Sequence, residues 1–234
     1  MNFNNIAIIP ARGGSKRIPK KNIKNFLGKP IIAYSIEMAI SCKLFNKVIV
    51  STDDQEIKDV AIKYGAKVPF IRPKEIADDF TGTHEVIGHA VKWLEDNGKK
   101  MDYVCCIYPT APLIEKEDLI KGYEIIKTGK WNSVIAATNF SYPIFRSFKN
   151  LPDGGLKMIF PEHYSSRSQD LPEVYHDAGL FYWAKPEIWK KKPERFSEKN
   201  SIVKIPNYRV QDIDTIDDWK KAEIAFEIIN REIK

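Results

Sequence analysis

Uninterrupted runs of apolar residues recur along the first two-thirds of the chain, at Ile6 to Ile9, Val48 to Val50, Val104 to Tyr108 and Val134 to Ala137. Runs this short, without alternation, predict strands buried on both faces. Between them, apolar residues return at helical spacing. Asp53-Asp54-Gln55-Glu56 opens one predicted helix, with Asp53 as N-cap and Glu56 three residues on, and Gly65 closes it. Thr83 caps a second, which turns Ile87, Ala90, Val91 and Leu94 to one side and ends at Gly98. Strands alternating with helices of this length predict βαβ units, hence an α/β fold with a mostly parallel sheet.

The pattern breaks after Thr138. Residues 139–176 are rich in Pro, Ser, Tyr and Phe around the turn Pro152-Asp153-Gly154-Gly155, which predicts short antiparallel strands forming an inserted arm or lid. Ala178 to Ala184 resumes as a strand. Thr215, with Asp218 in the box position, opens a final helix whose apolar stripe is Trp219, Ala222, Phe226, Ile229 and Ile233. With no internal repeat or flexible linker, residues 1–234 are expected to form one domain carrying the 139–176 arm.

At 43% hydrophobic the chain can bury one substantial core, and no stretch approaches the ~20 apolar residues of a membrane span. The polar, uncharged residues before Ile6 lack the pattern of a secretory signal. Cys42, Cys105 and Cys106 match neither a disulfide framework nor a metal-ligand spacing, and read as packing in a reducing compartment. A cytoplasmic protein with no membrane partner is expected.

Charge changes the picture more. The net charge is +6, yet Arg12, Lys16, Arg17, Lys20, Lys21, Lys24 and Lys29 stand in a segment without an acidic residue before Glu37, and the rest is near neutral. An excess focused on one glycine-containing segment suits a compact polyanion such as a triphosphate better than a long nucleic-acid backbone. The sequence Pro10-Ala11-Arg12-Gly13-Gly14-Ser15-Lys16-Arg17-Ile18-Pro19-Lys20-Lys21-Asn22 directly follows the first strand, at the sheet end where α/β proteins bind ligands. Gly13-Gly14 lets backbone N–H groups approach an anion, Ser15 adds a donor, Arg12 can fork onto phosphate oxygens, and Lys21 is a mobile point charge. It is neither G-x-x-x-x-G-K-[ST], since Gly28-Lys29 is followed by Pro30, nor G-x-G-x-x-G.

Near the other end, Gln211-Asp212-Ile213-Asp214 puts two carboxylates on one side of an extended segment, a pattern suited to Mg²⁺. Asp214 could equally serve the cap beside Thr215, and both readings stay open at this point. Ser51-Thr52-Asp53-Asp54 is explained by helix initiation. Tyr108-Pro109-Thr110-Ala111-Pro112-Leu113 closes another strand at its carboxyl end. Arg167-Ser168-Gln169-Asp170 and Tyr175-His176-Asp177-Ala178-Gly179 supply polar groups in and beside the arm. His84 and His89 read as surface or packing residues, and Lys190-Lys191-Lys192 as a solvated face.

On the Ala11–Lys16 loop with Lys21-Asn22, the Ser51–Asp54 strand end and Gln211–Asp214, the chain resembles the acylneuraminate cytidylyltransferase family along nearly its whole length. Tyr108-Pro109-Thr110 and Arg167 to Trp183 look most like its pseudaminic acid branch. The resemblance implies a Rossmann-like fold of the nucleotide-diphospho-sugar transferase type and a Mg²⁺-dependent reaction. In it the C2 hydroxyl of a nine-carbon sugar acid attacks the α-phosphorus of CTP. By the same resemblance Arg12 and Lys21 hold the triphosphate on the loop of Ala11, Gly13, Gly14 and Ser15, while Asn22, Arg72 and Thr83 surround the cytidine. Asp212 and Asp214 hold the metal, with Asp214 or a water beside it helping to remove the hydroxyl proton. Arg167, Gln169 and His176 are expected in the sugar pocket, the first two reached across a homodimer through the arm. Many sialic acid members carry Gln where this chain has Tyr108, which disfavours ordinary sialic acid. The rival readings are legionaminic, N-acetylneuraminic or 3-deoxy-manno-octulosonic acid as substrate, a basic RNA-binding module, and a nucleotide-binding regulatory subunit. RNA binding leaves Asp212 and Asp214 unexplained.

Overall fold

The computed structural model describes residues 4–191 and 196–232. In chain order they form β1 (Asn5–Pro10), β2 (Asn25–Phe26), β3 (Lys29–Pro30), α1 (Ile31–Ser41), β4 (Lys47–Ser51), α2 (Gln55–Lys63), α3 (Thr83–Asp96), β5 (Tyr103–Ile107) and α4 (Lys116–Ile126). There follow β6 (Ser133–Asn139), β7 (Phe148–Asn150), β8 (Leu156–Met158), β9 (Tyr175–Ala184), α5 (Pro186–Trp189), β10 (Asn200–Lys204) and α6 (Ile216–Glu232). Six strands make the central sheet in the order β10-β6-β9-β5-β1-β4. All neighbours run parallel except β9, which lies antiparallel between β5 and β6.

The unalternating apolar runs follow from burial on both faces. Ala7, Ile9, Cys105 and Ile107 point into one core, shared with α1, α2 and α4 through Ile32, Ile36, Ile57 and Leu119. Their neighbours Ile6, Ile8, Val104 and Cys106 point into a second core under Ile87, Ala90, Val91 and Leu94 of α3. The adjacent Cys105 and Cys106 are thus buried on opposite sides of one strand, as packing residues. A third cluster matters most for the site. Ile18, Phe26, Ile31, Ile213, Trp219 and Ala222 pack together, joining the cationic loop to α6 and to the segment holding Asp212 and Asp214.

Several expectations are corrected. Asp54, not Asp53, caps α2, its carboxylate accepting from Ile57 N at 2.9 Å. Gly82, not Thr83, is the N-cap of α3, and Thr83 is its first residue. His176 lies on β9, paired with Thr138, rather than in the arm. The Thr215–Asp218 box of α6 forms as expected, with Thr215 N to Asp218 Oδ2 at 2.9 Å and the reciprocal bond at 3.2 Å. Ile233 of its stripe and Lys192 of the lysine run lie outside the described residues. Between β6 and β9, Phe148–Asn150 and Leu156–Met158 pair as a two-stranded hairpin. No helix among the described residues is long and apolar enough to cross a membrane.

Candidate active site

The carboxyl ends of β1 and β5 open into a cavity of about 400 Å³. Its walls bring together Arg12, Ser15, Lys21, Asn22, Arg72, Thr83, Tyr108, Asp212 and Asp214, residues spread over some two hundred positions of the chain. Ala11, Gly13 and Gly14 shape the loop without lining the cavity. Ala11 is fully buried, its N–H donating to Ser51 O at 2.9 Å. Gly13 N donates to Asp53 Oδ1 at 3.0 Å. A Cβ on Gly13 would meet Asp54 Oδ2 at 2.8 Å, so this position needs glycine, whereas one on Gly14 would meet nothing. Asn22 is buried and donates from Nδ2 to Arg12 O at 2.9 Å, so it fixes the loop's path from beneath.

The cations of this loop are held by acidic partners. Arg12 reaches Asp79 at 2.9 Å and the Asp78 carbonyl, and Lys16 pairs with the same Asp79. Lys21 Nζ donates to Ile213 O at 2.6 Å and stands 3.6 Å from Asp214 Oδ1, while Arg17 pairs with Asp214 Oδ2 at 2.8 Å. The first-strand loop and the acidic segment therefore face each other across the cavity. Burial, and then the nearby Asp214, raises the Asp212 carboxyl above its ordinary value, with Lys21 and Arg17 pulling the other way. Arg72 is buried, its Nε donating to Ser51 Oγ at 3.2 Å and its NH2 to the Ser51 carbonyl. Burial lowers its guanidinium to about 10, against the attraction of Asp53 and with the repulsion of Arg12.

A second cavity, of about 630 Å³, adjoins the first and shares Tyr108 and Asp212 with it. His176, Asp177, Tyr182, Thr138, Ser141 and Asn207 line it. Thr138 is buried, and its Oγ1 has no hydrogen-bond partner among the described residues, an arrangement suited to a polar ligand. Arg167 and Gln169 are not brought to either cavity within one chain. They lie on an exposed turn where Arg167 forks onto Asp170 at 2.7 and 3.1 Å. Sequence reasoning passed over Asp79, read Asp53 only as a helix cap and Arg17 only as one charge of the loop, because their contacts to Arg12, Gly13 and Asp214 join distant segments. Asp53 could have been found only as the spare member of an adjacent aspartate pair.

Residues 6–145 match the family described as Cytidylyltransferase. The pseudaminic acid cytidylyltransferase of Campylobacter jejuni is 45% identical over 96% of this chain and 97% of its own length. The CMP-N,N'-diacetyllegionaminic acid synthase of Legionella pneumophila is 33% identical over 95% of this chain and 96% of its own. Among solved structures, CMP:2-keto-3-deoxy-manno-octonic acid synthetase complexed with CTP superposes with a TM-score of 0.70 over 96% of this chain and 98% of that one. At 16% identity it shows the shared fold.

Proposed function

The chain belongs to the cytidylyltransferase family, and on that premise we propose that it transfers CMP from CTP to the C2 hydroxyl of a nonulosonic acid, pseudaminic acid, releasing pyrophosphate. The observation that carries this reading is the pairing of the two cavities. One is lined by the cationic loop and both carboxylates, and it meets a second, polar one at Tyr108 and Asp212. The triphosphate lies along Arg12, Ser15 and Lys21, with its base toward Asn22, Arg72 and Thr83. The sugar acid occupies the second cavity beside His176, its hydroxyl directed at the α-phosphorus. The new bond joins that oxygen to phosphorus as the α–β bridging bond breaks; the hydroxyl proton passes to Asp214, and Arg12 and Lys21 take up charge on the departing pyrophosphate.

Asp212 and Asp214 fit Mg²⁺: both are hard oxygen donors on one wall of the phosphate cavity, and such a site is completed by phosphate oxygens. When bound, Mg²⁺ supplies charge neutralisation on the phosphates. Phe148, Leu156 and Tyr164 between β6 and β9 expose most of their surface, which supports reading this arm as the contact of a homodimer that delivers Arg167 and Gln169 to a partner's sugar cavity. We place the enzyme in the cytoplasm, where CTP is available. A pyrophosphate-release assay crossing four nucleoside triphosphates with pseudaminic, legionaminic, N-acetylneuraminic and 3-deoxy-manno-octulosonic acids tests the reading. CTP with pseudaminic acid is expected to be fastest by far; comparable rates with ATP, or a clear preference for another acid, would overturn it.

A further inference from the structure

Three charged side chains are buried among the described residues, Arg72, Asp118 and Arg209, and the last two are paired with each other. Arg209 NH1 donates to Asp118 Oδ2 at 2.6 Å and NH2 to Oδ1 at 3.0 Å, a two-pronged fork. NH1 also stands 3.1 Å from Glu115 Oε2 and donates to the Leu113 carbonyl at 3.5 Å. One guanidinium thus grips the first turn of α4 and the end of the loop that follows β5, whose Tyr108, Pro109 and Thr110 line the nucleotide cavity. Arg209 itself ends a short turn, Asn207–Arg209, and from there the chain runs to α6 without helix or strand. Asp212 and Asp214 lie in that stretch. Its far end is fixed by the Thr215–Asp218 box and its middle by Ile213 in the apolar cluster under the loop. The Arg209 fork fixes its near end.

Stability alone does not explain this pair. Desolvation offsets most of the attraction between buried charges, and apolar side chains of similar size often hold a fold as well. What a guanidinium fork onto a carboxylate adds is direction, because two parallel bonds set orientation as well as distance. Here they tie the acidic segment to the loop of Pro109 and Thr110, and both line one cavity. We infer that Arg209 and Asp118 are positioning residues: they hold Asp212 and Asp214 in place for a Mg²⁺ ion shared with the nucleotide. The inference rests on the reading above, in which those two carboxylates hold Mg²⁺.

Calorimetric titration of CTP across a series of Mg²⁺ concentrations, without sugar acid, separates metal binding from catalysis. In the wild type Mg²⁺ is expected to tighten CTP binding at least ~10-fold. Arg209→Lys keeps the charge but loses the fork. The double variant Arg209→Met/Asp118→Asn leaves neither charge unpaired, and its Asn can still accept from Glu115 N, so the two variants do not share a folding defect. In each, the Mg²⁺ concentration giving half of that gain should rise about 10-fold, the usual effect of losing a group behind a metal's ligands. CTP affinity without Mg²⁺ should stay within about 3-fold, since Arg12 and Lys21 are untouched. An unchanged Mg²⁺ requirement in either folded variant, or metal-free CTP binding that weakens as much as the metal-dependent gain, overturns the positioning role and makes the pair structural. A wild type whose CTP binding ignores Mg²⁺ overturns the metal-site reading itself, and one that does not bind CTP overturns the cytidylyl-transfer reading.

Discussion

Lys21 touches both halves of the site: its ammonium is bonded to the Ile213 carbonyl and lies close to Asp214. Arg12 reaches the opposite rim. Replacing either by Ala should lower kcat/KM at least ~100-fold, about 2.7 kcal/mol of transition-state stabilisation, with an unchanged melting curve. Near-normal turnover in both variants would remove them from the phosphate cradle. Asp79 has the opposite sense. Its carboxylate, held below its ordinary pKa chiefly by its hydrogen bond from Lys16, occupies cations that a triphosphate needs. Asp79→Asn is therefore expected to lower the KM for CTP by about two- to five-fold, and a raised KM would show that Asp79 aligns those cations instead. For the carboxylate pair, Asp212→Asn and Asp214→Asn should each raise the Mg²⁺ concentration needed for half-maximal activity, with Asp214→Asn losing more turnover. Unchanged metal dependence in both would make the pair structural. The cationic loop and the acidic pair were legible because each is compact in sequence. The assignments of Arg72, Asn22 and Thr83 came from resemblance, and those of Asp79 and Arg17 from neither, because single residues acquire roles only through contacts across the fold.

At the scale of elements, strands β1, β4, β5 and β6 were legible as short continuous apolar runs, and the same alternation of cores explains why no period showed in them. Helix α1 gave no such signal: Ile31, Ile32, Ala33, Ser35, Ile36 and Ala39 are all buried, so no polar face marks its period. Strand β10 was missed because it is a short edge strand with only Val203 well buried. The α2 cap was placed one residue early because either aspartate suits the position, and the tertiary bond to Gly13 draws Asp53 away. Packing between α4 and β9 makes a further demand that composition hides. A Cβ on Gly122 would lie 2.7 Å from Trp183 Cδ1, inside a fully buried cluster. Gly122→Ala is expected to cost about 1–3 kcal/mol in denaturant unfolding despite alanine's better helix propensity. A stabilised variant would show that α4 can move away freely.

For the whole molecule, the fold places chemistry by docking distant segments rather than by any one motif. Phe26 packs edge-on against Trp219 and Phe226, and Ile18 and Ile213 join the same cluster, so the cationic loop and the acidic segment are fixed to a common apolar support. That support turns two sequence motifs nearly two hundred residues apart into opposite walls of one cavity. The most direct measurement follows the phosphorus atoms. CTP labelled at either the α- or the γ-phosphate is incubated with pseudaminic acid, Mg²⁺ and the enzyme, and the products are separated. Transfer of CMP puts the α-label in the sugar nucleotide and the γ-label in pyrophosphate. A γ-label on the sugar, or released as orthophosphate while the α-label stays in CDP, would mean that the site moves a terminal phosphoryl group and not a nucleotidyl group.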